Sequence, residues 1–221
     1  MNSRFIKIIA VITMTIDHVG YMLFPDIEIL RWIGRIAMPL FCFLIAFGAT
    51  KTRDITKYFL RLFAFAIVVQ IPFNIFEYGT VFAFYNWNIF FTLSVGVLCI
   101  MLIKKFIPVV AVMYVVCVLV VASILPMDYG MAGVLLIVLF YLALSHSLLA
   151  LKITATLSVI IFNILLIYLG SATFQWFSLL AVPFIILFSP QKLKISKIEK
   201  WSFYIYYPLH FIIIYLIGLA F

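Results

Sequence analysis

The sequence predicts an all-α, polytopic membrane protein in which residues 1–221 form a single transmembrane domain of about nine helices. The first observation is composition: 68% of the residues are hydrophobic and only 10% are charged. Soluble domains average about 45–50% apolar and about 25% charged residues. The second is the grouping of apolar residues into runs close to the roughly 20 residues that cross a bilayer as a helix. No soluble core could bury so much apolar surface, so we expect the lipid bilayer to be the solvent.

Nine apolar runs account for most of the chain, and short polar connections separate them. The predicted spans are residues 5–23, 32–49, 58–76, 88–103, 106–125, 130–145, 150–168, 173–188 and 202–220. The fourth, sixth and eighth runs are short, so one of them is a candidate for a re-entrant segment. Arg4 and Lys7 before the first run imitate a secretory signal, but no small-residue cleavage site follows. We therefore expect this run to be retained as a helix.

The positions of the basic residues predict a cytoplasmic N-terminus, with the C-terminal Phe221 outside. Thirteen of the fifteen Lys and Arg residues then fall at cytoplasmic ends, as the positive-inside rule requires. They are Arg4, Lys7, Lys51, Arg53, Lys57, Arg61, Lys104, Lys105, Lys152, Lys192, Lys194, Lys197 and Lys200. Topology thus explains the net charge of +8, and we expect no nucleic-acid partner.

Four ionisable residues near the outer ends of the first two spans do not fit this scheme. Arg31 and Arg35 are four residues apart and share one helix face. Asp17 and Arg35 lie at similar depth, where an unpaired charge costs at least about 2.5–3.5 kcal/mol, so we predict an Asp17–Arg35 ion pair. His18, consecutive with Asp17, points about 100° away from it and is left for another contact. An isolated intramembrane histidine suits a general base near neutral pH.

Further polar residues fall in the same half of the predicted bundle and suggest a shared polar cavity. They are Gln70, Asn74, Asn86, Asn88, Asp128, Tyr207 and His210. Pro208 precedes His210 and predicts a kink in the last span. Structural alternatives stand beside this interpretation: Asp17–Arg35 can simply fix helix packing, Arg31 can snorkel to the interface, and Asn or Gln can bond between helices. His210 can belong to an aromatic belt. The three cysteines have neither disulfide nor zinc spacing, and we expect no metal.

Several motifs in a fixed order resemble the TraX family, membrane proteins named for the enzyme that acetylates the N-terminus of conjugative F pilin. The motifs are MTIDHVGYMLFP, RWIGRIAMPLFCFLIAFG, TKYFLRL, QIPFN, NIFFTLSVG, MDYGMAGVLL and WSFYIYYPLH. The resemblance covers about residues 5 to 215. The segment FSPQKLKISKIEK departs from it, since a shorter Asn-Gly turn is more usual there.

The resemblance implies an acetyltransferase of the bacterial cytoplasmic membrane that takes acetyl from cytoplasmic acetyl-CoA. The acceptor would be an amine or hydroxyl presented from outside, such as a peptide N-terminus, a pilin-like protein or an envelope sugar. His18 would act as general base or carry the acetyl group transiently, Asp17 would orient the cluster through Arg35, and His210 would be a second acid/base. Arg31, Arg35 or an Asn would stabilise the oxyanion.

The resemblance also implies two binding sets. The predicted substrate-binding residues are Arg31, Gln70, Asn74, Asn88, Asp128 and Tyr207. The predicted acetyl-CoA-binding residues are Lys51, Arg53, Lys57 and Arg61, because cationic side chains suit the CoA phosphates.

Two other classes of function remain open at this point. Polar groups on several spans and a Pro-containing helix also suit a small transporter or channel, although the two halves show no inverted repeat. The third class is a non-catalytic partner of a secretion or assembly system, in which the ions only pack. The oligomeric state is open.

Overall fold

The protein is a bundle of α-helices, described by a computed structural model over residues 1–83, 85–191 and 197–220, with the side chains of residues 197–200 undescribed. The helices are α1 (Ser3–Met22), α2 (Glu28–Gly34), α3 (Ala37–Lys51), α4 (Ile55–Tyr78), α5 (Ile89–Lys105), α6 (Pro108–Ile124), α7 (Gly130–His146), α8 (Leu148–Tyr168), a 3-10 helix (Thr173–Ala181), α9 (Val182–Ile186) and α10 (Lys197–Gly218). Within these residues the β pairing is one isolated bridge, Trp87 with Met127.

The predicted all-α membrane fold is confirmed, and each predicted span falls on helical structure. Five segments are long and apolar enough to cross a membrane: Ser3–Met22, Glu28–Lys51, Ile55–Tyr78, Leu148–Tyr168 and Trp201–Gly218. The second predicted span is the pair α2 and α3, interrupted at residues 35–36, and the eighth is the 3-10 helix followed by α9. α10 continues as a helix through Pro208. The chain is therefore a membrane protein.

Polar side chains at the helix starts satisfy backbone N–H groups that have no partner within the helix. Asn2 caps α1, Asp54 caps α4, Asn88 caps α5 and Ser147 caps α8, each accepting from a backbone N–H of the first turn. Such caps define where helices begin even when the surrounding sequence is uniformly apolar.

The α3 helix lies at the centre of the bundle and packs against α1, α5 and α7. Its Phe43 is fully buried and makes edge contacts with Phe140 and Phe188. Outward faces are apolar as well: Val68 is 63% exposed and Ile153 is 69% exposed. Because exposed apolar faces suit lipid and not water, the bundle has an inner core and a lipid-facing surface.

Contacts at the two ends of the bundle agree with the prediction that consecutive spans run in opposite directions. At one end, the Met1 amino group donates to the Leu187 carbonyl at 2.9 Å, and Lys104 Nζ donates to the Ala49 carbonyl at 2.8 Å. At the other, the Asp128 N–H donates to the Trp87 carbonyl at 2.9 Å. Which end faces the cytoplasm stays a prediction. Of the residues used for it, Lys192, Lys194, Phe221 and the side chains of Lys197 and Lys200 lie outside the described part of the chain.

Candidate functional site

A cavity of about 390 Å³ opens among α1, α2, α3, α4, α5 and α10, at the end of the bundle predicted to be external. Six of the predicted site residues line it: Asp17, His18, Arg31, Arg35, Asp128 and Tyr207. The rest of the wall is largely apolar and aromatic, as in most small-molecule sites. Side chains that are distant in sequence therefore line one cavity.

A three-residue ion cluster forms one wall of this cavity. Arg31 Nη1 donates to Asp17 Oδ2 at 2.8 Å and to the Asp17 carbonyl at 3.0 Å, and Arg35 Nη2 pairs with Asp17 Oδ1. The predicted Asp17–Arg35 pair is confirmed. Arg31 joins the same carboxylate instead of only snorkelling. α1 and α2 can approach this closely because Gly34 has no side chain: a Cβ there would overlap the Asp17 carboxylate.

Arg35 connects the ion cluster to two residues that the sequence analysis did not select, Tyr129 and Gln175. Its Nη1 donates to the Tyr129 hydroxyl at 3.1 Å and to Gln175 Oε1 at 3.4 Å. The backbone of Tyr129 has a φ of 58°, which is uncommon for a residue with a side chain and often marks a functional position. The Asp-Tyr-Gly turn was the available signal for Tyr129; Gln175 gave none beyond its polarity.

The two intramembrane histidines form a hydrogen-bonded pair between α1 and α10. His18 Nδ1 lies 2.7 Å from His210 Nε2, and His210 Nδ1 lies 3.3 Å from the Tyr206 carbonyl. A carbonyl only accepts, so the His210 proton is on Nδ1 and its Nε2 is an acceptor. His18 therefore donates from Nδ1, which leaves the lone pair on His18 Nε2.

Aromatic packing fixes the orientation of this pair. His210 is 3% exposed, with Tyr206 stacked on it at 5.5 Å and Phe211 at 4.3 Å between ring centroids. Its burial is inconsistent with the alternative that it belongs to an interfacial belt. Thr15 and Tyr206 join the same two helices through a hydroxyl–hydroxyl bond of 2.7 Å. The imidazole of His18 is thus held by neighbours on a second helix.

Gln70, Asn74 and Asn88 do not line the cavity. Gln70 donates to the Asn74 side chain at 2.8 Å and accepts from Asn88 Nδ2 at 2.8 Å. Asn74 donates to the Val81 carbonyl at 2.9 Å. These bonds fasten the connection after α4 to the helices below it. Their polar groups have structural partners, whereas the neighbouring Asn86 does line the cavity, and the substrate contact of the three residues stays a prediction.

Two further carboxylates face the cavity, Asp128 and Glu77. Glu77 was not selected from the sequence and accepts from the Tyr21 hydroxyl at 2.8 Å, whereas Asp128 is one of the predicted substrate-binding residues. Asp128 lies in the connection between α6 and α7, with its side chain open to the cavity. Desolvation by the surrounding protein raises the pKa of Asp128 to about 7, and Arg35 acts in the opposite direction.

The predicted cationic set lies at the opposite end of the bundle. Lys51, Arg53 and Lys57 are exposed, and Lys57 pairs with Asp54 at 3.3 Å. Arg61 is partly buried, and its Nε has no acceptor among the described residues. None of the four lines the cavity.

The distance between the two ends follows from α3. Phe41, which lines the cavity, precedes Lys51 by ten residues in this helix, a rise of about 15 Å. The cavity therefore ends well before the cationic end.

A second cavity of about 210 Å³ lies beside the first, between α8 and the 3-10 helix. Arg35, Asp128 and Tyr129 line both cavities, which therefore adjoin each other. Gln175 and Ser171 contribute further polar groups to the second one.

Comparison with known proteins identifies the family. The TraX protein family model matches residues 2–218, and the chain therefore belongs to the TraX family. Over 66 residues, 30% of this chain, it is 46% identical to an uncharacterized protein of Rickettsia prowazekii (strain Madrid E), covering 25% of that protein. Over 90 residues, 39% of this chain, it is 33% identical to a probable fimbrial assembly protein FimC, serogroup H1, of Dichelobacter nodosus, covering 32% of it. The chain thus matches only about a quarter to a third of these relatives' lengths. No solved structure matches.

Proposed function

We propose that this TraX-family protein is an acetyltransferase of the bacterial cytoplasmic membrane that moves acetyl from acetyl-CoA to an amine or hydroxyl. The observation that carries the proposal is the ordered chain from the Tyr206 carbonyl through His210 to His18, which ends at an imidazole in the cavity wall. This is the arrangement of a general base whose tautomer is fixed by a second group. The pilin acetylation after which the family is named supports this reaction class, and the fimbrial assembly named for one relative fits a pilin-like acceptor.

His18 Nε2 would take the proton of the acceptor amine or hydroxyl as the acceptor attacks the thioester carbonyl. A carbon–nitrogen or carbon–oxygen bond forms, and the carbonyl oxygen becomes an oxyanion. Collapse of this intermediate breaks the carbon–sulfur bond, and the CoA thiolate leaves and receives the proton from His18. His210 remains the positioning residue: its Nε2 accepts from His18 Nδ1 and stabilises the imidazolium form of His18.

Arg31 is the better candidate for oxyanion stabilisation. Arg35 is already engaged through its Nε and both terminal nitrogens by Arg31, Asp17, Tyr129 and Gln175. Arg31 has the more open side chain, 24% exposed against 11% for Arg35. A cation held in place beside an enclosed cavity stabilises developing negative charge more strongly than one in water. Arg35 then serves to hold Asp17 and, through it, Arg31.

The charge of the cavity favours an amine acceptor over a hydroxyl. Three carboxylates line it, Asp17, Glu77 and Asp128, against two guanidinium groups. Asp17 is paired with both arginines, which leaves Glu77, and Asp128 in its ionised form, to attract a cationic ligand. A protonated amine would be drawn in by these groups and would give one proton to water in the cavity, and the neutral amine would then attack while His18 takes the second proton.

The acetyl donor would bind through its phosphates at Lys51, Arg53, Lys57 and Arg61. The exposed lysines and Arg61 Nε, which has no acceptor among the described side chains, fit a polyanionic group at this end. The acyl arm would then have to pass the roughly 15 Å of α3 between Lys51 and Phe41. This requires side chains packed between the two ends to move apart while the donor is bound.

A transporter is the less favoured alternative. A permeation path needs a polar route between both ends of the bundle. Among the described residues, the two cavities lie together at one end, so no observation specifically favours permeation.

The test is release of CoA thiol from acetyl-CoA by the purified protein in detergent, with and without a small amine acceptor. We expect His18→Ala to abolish the activity while the protein stays folded. The third histidine offers a matched control: His146 is exposed at the end of α7, and His146→Ala should retain activity. Turnover by a folded His18→Ala variant at the wild-type rate would remove His18 from the mechanism.

A further inference from the structure

Tyr207 brings a hydroxyl group without a hydrogen-bond partner into the first cavity. The residue is 7% exposed and lines this cavity. No described residue hydrogen-bonds to its hydroxyl, and this oxygen is not one of the fully enclosed polar atoms without a partner, which in the described part of the chain are Arg61 Nε and Gln175 Nε2. The hydroxyl of Tyr207 therefore opens into the cavity. The hydroxyl of the neighbouring Tyr206, by contrast, is bonded to Thr15 at 2.7 Å.

Three aromatic rings hold the Tyr207 side chain in one orientation. Its ring packs at near right angles against Phe90 and Phe211, with centroids 4.7 Å and 5.0 Å apart. The His210 ring lies 5.3 Å away at 67°, and His210 is hydrogen-bonded to His18. A hydroxyl on a fixed ring loses little conformational entropy when it binds a ligand. Tyr207 is therefore a preorganised hydrogen-bond donor beside the histidine pair.

Tyr207 also lies at the inner end of the cavity, on the side away from the ion cluster. It precedes His210 by three residues in α10 and so lies about 4.5 Å further in. Met14 precedes His18 by four residues in α1, about 6 Å further in. The other innermost lining residues of the surrounding helices are Phe41, Phe73 and Leu93. Within this described set, the Tyr207 hydroxyl is the one polar side-chain group, whereas the charged lining residues lie at the outer end.

An apolar enclosure with one hydroxyl donor selects a ligand of matching chemistry. A carbonyl oxygen would accept from Tyr207 without burying a charge, and a small apolar group attached to that carbonyl would pack against Met14 and Leu93. The acetyl group of a thioester has this combination of one carbonyl oxygen and one methyl group. A protonated amine would instead be attracted to the outer end, where Glu77 and Asp128 line the cavity. The two ends of the cavity thus suit the two reactants.

We propose that the inner end of the first cavity is the acetyl subsite, in which the Tyr207 hydroxyl donates to the carbonyl oxygen of the bound thioester. The inference rests on the proposed function for the identity of the acyl donor. As the acceptor attacks, negative charge develops on this oxygen, and the hydrogen bond from Tyr207 strengthens while Tyr207 keeps its proton. Arg31 would add positive charge from the outer wall. Met14 and Leu93 would enclose the methyl group and so exclude longer acyl chains.

Binding of a ketone analogue tests the subsite without turnover. In acetonyl-dethio-CoA a methylene group replaces the thioester sulfur, so the carbonyl and the methyl group are kept but cannot be transferred. Its affinity relative to that of CoA, measured by calorimetry on the full chain in detergent, isolates the contribution of the acetyl group. We expect wild type to prefer the analogue several-fold. Tyr207→Phe should weaken binding of the analogue about three- to tenfold, the effect of one hydrogen bond, and leave CoA binding unchanged.

Tyr141→Phe is the matched control, because Tyr141 is also 7% exposed but lines neither cavity. It should bind the analogue as wild type does. Equal affinities of wild type and folded Tyr207→Phe for the analogue would overturn the subsite while leaving the acetyltransferase intact. A Tyr207-dependent preference for the analogue without any acetyl transfer would support the subsite and refute the acetyltransferase. Failure of wild type to bind either CoA or the analogue would refute both.

Kinetics separate a donor to the reacting carbonyl from a residue that only packs. Tyr207→Phe keeps the ring and its aromatic contacts, so it should lower kcat about 10²-fold with little change in KM for the acceptor. A folded Tyr207→Phe variant with wild-type kcat would contradict the proposed hydrogen bond to the carbonyl oxygen.

Acyl-chain preference tests the apolar part of the subsite. Met14→Ala enlarges the inner end, so turnover of butyryl-CoA relative to acetyl-CoA should rise several-fold, and Leu93→Ala should act in the same direction. Met113→Ala is the matched control, because Met113 is 63% exposed and lines neither cavity, and its acyl preference should equal that of wild type. The wild-type preference in folded Met14→Ala and Leu93→Ala would show that the methyl group binds elsewhere.

Discussion

Gly34→Ala is the substitution whose effect the structure defines most closely. Gly34 is the buried last residue of α2, and a Cβ there would overlap the Asp17 carboxylate. Turning Asp17 away would break a buried ion pair, at about 3–5 kcal/mol. Displacing α2 would cost about 1–3 kcal/mol, as for other overpacked sites. The cheaper response is a small displacement of α2 that keeps Asp17 paired but shifts the Arg31 guanidinium from its position in the cavity wall.

Gly218→Ala is the matched control, because Gly218 is the last residue of α10 and its added Cβ would meet only flexible atoms of Met22 and Leu23 at 3.3 Å or more. Both changes gain the same helix propensity, about 1 kcal/mol. The difference between the two variants therefore isolates the overpacking. We expect Gly34→Ala to be less stable than Gly218→Ala by about 1–3 kcal/mol.

Thermal unfolding in detergent measures this difference through the reaction of Cys42 and Cys99 with a maleimide dye, since both are buried. The exposed Cys117 is first replaced by Ser in every variant. A chain of this size should lose about 2–4 °C in Tm for each kcal/mol, and CoA release should fall with the displaced Arg31. Equal Tm values and equal activity for Gly34→Ala and Gly218→Ala would show that α1 and α2 do not approach as described.

Three further predictions address the histidine pair, the carboxylate of the turn and the orientation. His210→Phe should lower kcat about 10²-fold, at the lower end of the range for a positioned base, and a folded variant with wild-type kcat would show that His18 needs no orienting partner. The pKa of Asp128 in the folded protein is raised to about 7 from its ordinary value of 3.8, so the native state binds this proton more tightly than the unfolded chain does. The free energy of unfolding should therefore fall as the pH rises from about 4 to 7 and stay constant at higher pH. Asp128→Asn should remove the decrease of Tm with pH. Identical profiles of Tm against pH for the variant and the wild type would contradict the desolvation of Asp128. In a Cys117→Ser background, a cysteine at Pro126 should react with an impermeant maleimide in intact cells and a cysteine at Arg53 only after permeabilisation. The opposite labelling would reverse the topology.

The sequence was informative where the physical cause is local. Apolar runs must be helical in lipid because each backbone polar group needs a partner within its own segment, so the positions of the helices follow from composition and length. The same reasoning selected Asp17 and Arg35, since charged residues at that depth require compensation. It missed the break at residues 35–36, which divides the second span into two helices, because the length of an apolar run does not indicate whether its helix is continuous.

Polar residues without charge were harder to assign. Gln70, Asn74 and Asn88 are as polar as Gln175, yet they bond to neighbouring connections while Gln175 faces a cavity. Hydrogen bonds of this kind depend on which helix packs beside which, and the sequence contains no local measure of that arrangement.

By itself, the sequence determined that this chain is a helical membrane protein, because the cost of an unpaired backbone group or charge in lipid is set by single segments. Only the tertiary structure decided that His18 pairs with His210, 192 positions along the chain. It also decided that Arg31 and Arg35 share the carboxylate of Asp17. These pairings are contacts between helices, and their geometry comes from the packing of the whole bundle.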